Sequence, residues 1–188
     1  MLSEETVQEI RAALRRYPRP RSAVLDALRA IQRQFGYCPP EALTEAAEIL
    51  EIDANALQML VTFYDLLYDH PVGAHILMPC KNIACYLRGA DEIIAYLSRK
   101  LGIAPGQTTP DGTFTLQPME CLAACDLAPV MIADGEYYGP LTPERIDALL
   151  AELAARPPYR GEPVIETRPG AAVNGGGAGN GGGDGHDL

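Results

Sequence analysis

Four of the five cysteines fall into two short pairs, Cys80-x4-Cys85 and Cys121-x3-Cys125, with 35 residues between them. In a reducing compartment such cysteines serve as metal ligands, redox groups or buried thiols more often than as structural disulfides. Two loops that each offer a pair of thiolates suit a [2Fe–2S] cluster, which takes two thiolates on each iron at a sheltered site near the surface. A structural zinc ion also accepts four thiolates, but its knuckles are commonly tighter, often Cys-x2-Cys, and it usually staples a domain without a core of its own. Thiol–disulfide exchange of the thioredoxin kind calls for one Cys-x2-Cys at a helix start, and none is present. Spacing alone therefore favours iron–sulfur, with zinc second and unligated buried thiols as the bland reading.

The residues around the pairs refine this expectation. Backbone N–H groups along Lys81-Asn82-Ile83-Ala84 and Leu122-Ala123-Ala124 are placed to donate to cluster sulfurs and so to influence its potential. Lys81 adds a positive charge that would favour the reduced form, unless it is simply a solvated loop lysine. Cys38, inside Phe35-Gly36-Tyr37-Cys38-Pro39-Pro40, stands alone and reads as a small buried hydrophobe rather than a ligand. His70 and His75 lie upstream of the first pair and lack the Cys-x-His arrangement of a Rieske centre, and His186 has no ligand company. Thr62-Phe63-Tyr64 and Tyr68, Tyr137 and Tyr138 read as packing groups. The sequence contains no Gly-rich phosphate loop, catalytic triad or paired acidic motif, so no catalytic residue is assigned.

The elements that must carry these residues separate into three regions. Residues 1–70 read as four amphipathic helices with short connections, the pattern of a small antiparallel bundle. Ser3 is expected to cap the first, which ends at Tyr17-Pro18. Ser22 is expected to cap the second, whose Val24, Leu25, Leu28, Ile31 and Phe35 form an apolar stripe. Pro39-Pro40 opens the third, and Asp53 caps the fourth, which runs from Ala54 to about Tyr68. Residues 71–157 change period: a short strand at His75-Ile76-Leu77-Met78, the first cysteine pair, a helix from Gly89 to Lys100, and a strand at Thr113-Phe114-Thr115-Leu116 before the second pair. Asp134-Gly135 then marks a two-residue hairpin between Val130-Met131-Ile132 and Glu136-Tyr137-Tyr138. A last helix begins at Thr142-Pro143-Glu144. The order β-α-β-β-β-α is that of a thioredoxin-like half-fold. If the strands before the two cysteine pairs are parallel neighbours, their C-terminal ends share the sheet edge where open α/β sheets hold ligands. The fold class is thus α+β, a helical bundle followed by a thioredoxin-like domain. Residues 158–188 are read as an extended, disordered Gly-rich tail, because 170–188 holds nine of the 18 glycines and almost no large apolar side chain.

A formal net charge of −10 argues against a nucleic-acid partner, which needs a basic face. No apolar run approaches the ~20 residues required to span a bilayer. The acidic start Met-Leu-Ser-Glu-Glu-Thr-Val is unlike a signal peptide. A cytoplasmic protein, at most peripheral to a membrane through a complex, is expected.

Two segments carry a specific resemblance. Ile83-Ala84-Cys85-Tyr86-Leu87-Arg88-Gly89-Ala90-Asp91-Glu92-Ile93 and Glu120-Cys121-Leu122-Ala123-Ala124-Cys125-Asp126-Leu127-Ala128-Pro129 look like the two cluster loops of the ferredoxin-like small subunit, the E-type one, of NADH:quinone oxidoreductase, respiratory complex I. Val61-Thr62-Phe63-Tyr64 with His70-Pro71-Val72-Gly73, Gln32-Arg33-Gln34-Phe35-Gly36-Tyr37 and Leu141-Thr142-Pro143-Glu144 are similar to further parts of that family, over about residues 10 to 155. The resemblance implies a thioredoxin-like [2Fe–2S] domain whose ligands are Cys80, Cys85, Cys121 and Cys125. It also implies partners: a flavoprotein that binds FMN and oxidises NADH, and other members of a peripheral arm. The chain would then be an electron-transfer subunit of an oxidoreductase complex, without a complete active site of its own. The homologous small subunit of an NAD-linked formate dehydrogenase or bidirectional hydrogenase is the alternative context, and a zinc-stapled interaction module the remote one. One residue departs from the family pattern: Ala123 stands where glycine is usual, a costly exchange if the position requires φ > 0. The glycine-rich tail lies outside the family's common core.

Overall fold

The computed structural model describes residues 1–159. Of the expected tail 158–188, everything from residue 160 on, His186 included, lies outside the described residues.

The N-terminal bundle begins with Glu4–Arg16 (α1), capped by Ser3, whose Oγ accepts from Thr6 N–H at 3.1 Å. Acidic residues occupy its first turn and arginines its last, each complementing the helix dipole. Val24–Phe35 (α2) is not capped by Ser22. Pro20, fixed near φ −65°, instead opens a 3₁₀ turn over Pro20–Ala23 that runs straight into α2. Pro40–Leu50 (α3) starts with proline at its first position, where no N–H is needed. Ala54–Phe63 (α4) starts at the expected cap, Asp53, which accepts from Asn55 N–H at 2.8 Å. Ile10, Leu28, Ile31, Leu43, Leu50 and Leu57 fill the bundle core, with Cys38 fully buried among them.

α4 ends five residues before the expected Tyr68. Tyr64 turns extended, and Gln32 of α2 captures the departing chain: its Nε2 donates to Leu66 O at 2.8 Å and its Oε1 accepts from Tyr68 N–H at 2.9 Å. Cys38 N–H adds a 2.7 Å bond to Tyr68 O. These bonds across the bundle replace the helical ones that further turns of α4 would have made.

The second half is a four-stranded sheet in the order β2-β1-β3-β4, formed by His75–Pro79 (β1), Phe114–Leu116 (β2), Met131–Ala133 (β3) and Glu136–Tyr138 (β4). β1 and β2 are parallel, His75 opposite Phe114 and Leu77 opposite Leu116. β3 lies antiparallel on the other side of β1 and continues into β4 through Asp134 and Gly135. Both turn residues have positive φ, 50° and 82°, the requirement of a primed hairpin turn. Between Cys80 and the crossover helix the chain makes a single helical turn, Ile83–Tyr86 (α5), capped by Asn82. Ala90–Leu101 (α6), the crossover from β1 to β2, and Pro143–Ala154 (α7), capped by Thr142, bury Leu97, Ile146 and Leu153 against Leu77, Leu116 and Met131 on one sheet face. The other face offers Ile76, Met78 and Ile132 to Tyr68 and Tyr37 from the bundle side.

Candidate metal centre

The parallel pairing of β1 and β2 carries the chain to one sheet edge twice. Cys80 follows β1 directly and pairs in parallel register with Met119, three residues past β2; Lys81 N–H donates to Met119 O, and Met119 N–H to Pro79 O, both at 2.9 Å. Glu120 and Cys121 come next. The expectation that two loops meet at the C-terminal ends of neighbouring parallel strands therefore holds.

The four thiols differ in setting. Cys80 and Cys85 are buried, whereas Cys121 and Cys125 are exposed. Cys80 and Cys85 sit in a small apolar nest with Ala90, Ala124, Ala128 and Val130, edged by Leu122, Leu127 and Tyr137. Burial, foremost, and the neighbouring Cys80 and Cys125 push the Cys85 thiol up to about 11, against the pull of the Val130 N–H on its sulfur. Cys125 is raised chiefly by Cys121 and further by Cys80. Each loop thus brings its two thiols together, and the pairs feel one another across the gap. Without a cation, this crowding keeps protons on sulfur; iron in their midst would supply the positive charge that favours thiolates. Among the described residues no three His, Cys, Asp or Glu side chains converge tightly enough to hold a single metal ion. Two thiol pairs, one from each loop, match the two thiolates that each iron of a dinuclear cluster takes.

The backbone donors are fewer than the loop sequences promised. Lys81 N–H is bonded to Met119 O and Ile83 N–H to Asn82 Oδ1, so neither is free for sulfur. Ala123 N–H does reach Cys121 Sγ, at 3.4 Å, and it does so from a left-handed backbone with φ 57°. Val130 N–H, 45 positions beyond the cysteine it faces, escaped sequence reasoning because only the return of the chain through β3 brings it there. Lys81 is not a free charge: its Nζ lies 3.2 Å from Glu120 Oε1. Asn82 and Lys81 together hold the Glu120 carboxyl below its ordinary value.

Cys38 stays in the bundle core, its thiol donating to Leu28 O at 3.5 Å and pushed up to about 12 by burial. His70 pairs with Asp69 at the surface, and buried His75 bonds Asp134 at 2.6 Å, tying the start of β1 to the hairpin turn. Neither histidine is drawn to the cysteines by any contact described.

A sequence profile of thioredoxin-like [2Fe-2S] ferredoxins matches residues 10–154. The chain belongs to that family. This ferredoxin is 43% identical over 148 residues to the second E-type subunit of the NADH-quinone oxidoreductase of Rhizobium meliloti, a match spanning 79% of this chain and 88% of the relative. It is 40% identical over 149 residues to the E-type subunit of the NADH-quinone oxidoreductase of Escherichia coli, spanning 79% and 90%. Among solved structures, an NAD+-reducing [NiFe]-hydrogenase in the H2-reduced state is similar with a TM-score of 0.61 at 23% identity. That likeness covers 70% of this ferredoxin but only 22% of the hydrogenase chain, and it shows the shared fold. A [2Fe–2S] cluster is the cofactor of the family, and the two thiol pairs have the donor chemistry it requires.

Proposed function

We propose that Cys80 and Cys85 from the first loop, with Cys121 and Cys125 from the second, ligate the [2Fe–2S] cluster of an electron-transfer subunit in an NADH-oxidising module. The observation that carries this reading is the placement of two cysteine-bearing loops side by side at one sheet edge, with Cys80 and Cys85 in one apolar nest. When bound, the cluster supplies one-electron exchange. Ala124, Ala128 and Val130 keep water from the inner pair. The N–H groups of Ala123 and Val130 lower the cost of negative charge on sulfur and so favour the reduced form.

The similarity to NADH-quinone oxidoreductase subunits over nearly their whole length supports assigning the module to that kind of complex. With no phosphate-binding loop in the sequence, NADH and flavin would sit on a partner, a flavoprotein accompanied by other members of a peripheral arm. That partner would approach from the side of Cys121 and Cys125, where the site meets solvent. Among the described residues no helix is long and apolar enough to cross a membrane, in keeping with a cytoplasmic subunit that is peripheral through its complex. The likeness to the hydrogenase favours one second reading, the corresponding small subunit of a soluble NAD-linked enzyme. Co-purification with antiporter-like membrane subunits, or with a nickel or molybdenum enzyme, separates the two.

The chain purified without oxygen should be brown, contain about two irons and two sulfides, and give an S = 1/2 EPR signal on reduction. Cys→Ser at Cys80, Cys85, Cys121 or Cys125 should perturb or abolish that signal, while Cys38→Ser leaves it unchanged. A colourless, EPR-silent protein carrying one zinc after iron–sulfur reconstitution would refute the assignment.

A further inference from the structure

One carboxylate outside the thiol set ties the two cysteine loops together. Glu120 directly precedes Cys121, and its Oε2 accepts from Asn82 Nδ2 at 2.9 Å while its Oε1 lies 3.2 Å from Lys81 Nζ. Lys81 directly follows Cys80. Asn82 is the cap of α5, its Oδ1 accepting from Ile83 N–H at 2.9 Å, and α5 carries Cys85. A single side chain thus spans from the neighbour of Cys121 to the neighbour of Cys80 and to the turn that aims Cys85. The backbone bonds between Pro79, Lys81 and Met119 already bring the two chain segments side by side. The Lys81–Glu120 pair is exposed, by 49% and 72%, so its own contribution is small and the Asn82 bond shares the tie.

We propose that Glu120 is a positioning residue for the cluster: it clasps the two ligand loops and pairs the charge of Lys81 beside Cys80. The inference rests on the ligand assignment above. Two consequences distinguish it from a surface pair of no account. Lys81, released from its partner, can turn toward the negatively charged centre and favour the reduced form. The loops, released from each other, open more often and surrender iron faster.

The test uses the full chain with its cluster and five forms: wild type, Glu120→Gln, Glu120→Ala, Lys81→Gln and the Glu120→Gln/Lys81→Gln double variant. EPR-monitored redox titration should show a raised midpoint potential in Glu120→Gln, a smaller change in Lys81→Gln, and a smaller Glu120→Gln shift when Lys81 is already gone. That non-additivity is the mark of the pair. Transfer of iron to a chelator should speed up about two- to fivefold in Glu120→Ala, the range open to an exposed pair, and less in Glu120→Gln, whose amide oxygen still accepts from Asn82. A Glu120→Gln shift of equal size with and without Lys81, or no shift at all, overturns the charge role. Unaltered iron transfer in Glu120→Ala overturns the clasp. An absent S = 1/2 signal in the wild type refutes the ligand assignment itself, and the clasp with it, whereas a normal signal with insensitive variants removes the clasp alone.

Discussion

Ala123 holds its backbone at φ 57°, where a methyl group crowds the following carbonyl, and from there its N–H faces Cys121 Sγ. An L-residue pays roughly 1 kcal/mol for this conformation and glycine almost nothing. Ala123→Gly should therefore stabilise the cluster-bearing chain by about 1 kcal/mol or slightly less, since glycine also loosens the unfolded chain. Denaturant unfolding followed by visible absorbance measures this, and a destabilised variant would show that the methyl is needed beside the sulfur. Cys38 is the contrasting case: the small buried hydrophobe expected from its solitude is found fully buried in the bundle core. The conformation of Ala123 was legible only as a question, because an alanine in a sequence does not declare the sign of its φ.

The elements show where local chemistry suffices. Ser3 and Asp53 cap helices as read, because a cap and its target N–H lie within three residues. Ser22 fails because Pro20 imposes its own turn first. The end of α4 was out of reach, being decided by Gln32, more than 30 positions upstream. The clasp of Glu120 is equally non-local, its Asn82 contact spanning 38 positions. Gly139 belongs to the same class. A Cβ on it would lie 2.2 Å from Leu127 O, at the end of the 3₁₀ turn Cys125–Leu127. That oxygen is fixed to the backbone, so the turn must move. Gly139→Ala should cost about 1–3 kcal/mol, typical of overpacking, and should broaden or shift the EPR spectrum by displacing Cys125. A wild-type spectrum at full cluster content would mean that the turn yields without disturbing the cysteine.

At the scale of the whole molecule, the bundle and the sheet half have separate apolar cores, one drawn from residues 10–61 and the other from residues 77–153. The thiol nest is a third, small cluster at the sheet edge, with too little apolar surface to order its loops strongly on its own. Stripping the cluster with a chelator should therefore raise amide exchange along residues 80–89 and 119–130 and leave α1 to α4 as protected as before. Hydrogen-exchange mass spectrometry reads both regions in one experiment. Loss of protection throughout the bundle would show that the two halves fold as one unit rather than as the two domains proposed from the sequence.

The unequal burial of the thiols bears on manufacture. An iron–sulfur centre assembled on another protein has to be handed over, and a donor can touch Cys121 and Cys125 while Cys80 and Cys85 still lie beneath Ala124 and Val130. On the ligand assignment proposed above, an incoming cluster would meet the outer pair before the inner one. The inner two sulfurs would then be the ones hardest for solvent to reach, so the geometry that admits a cluster would also shelter it.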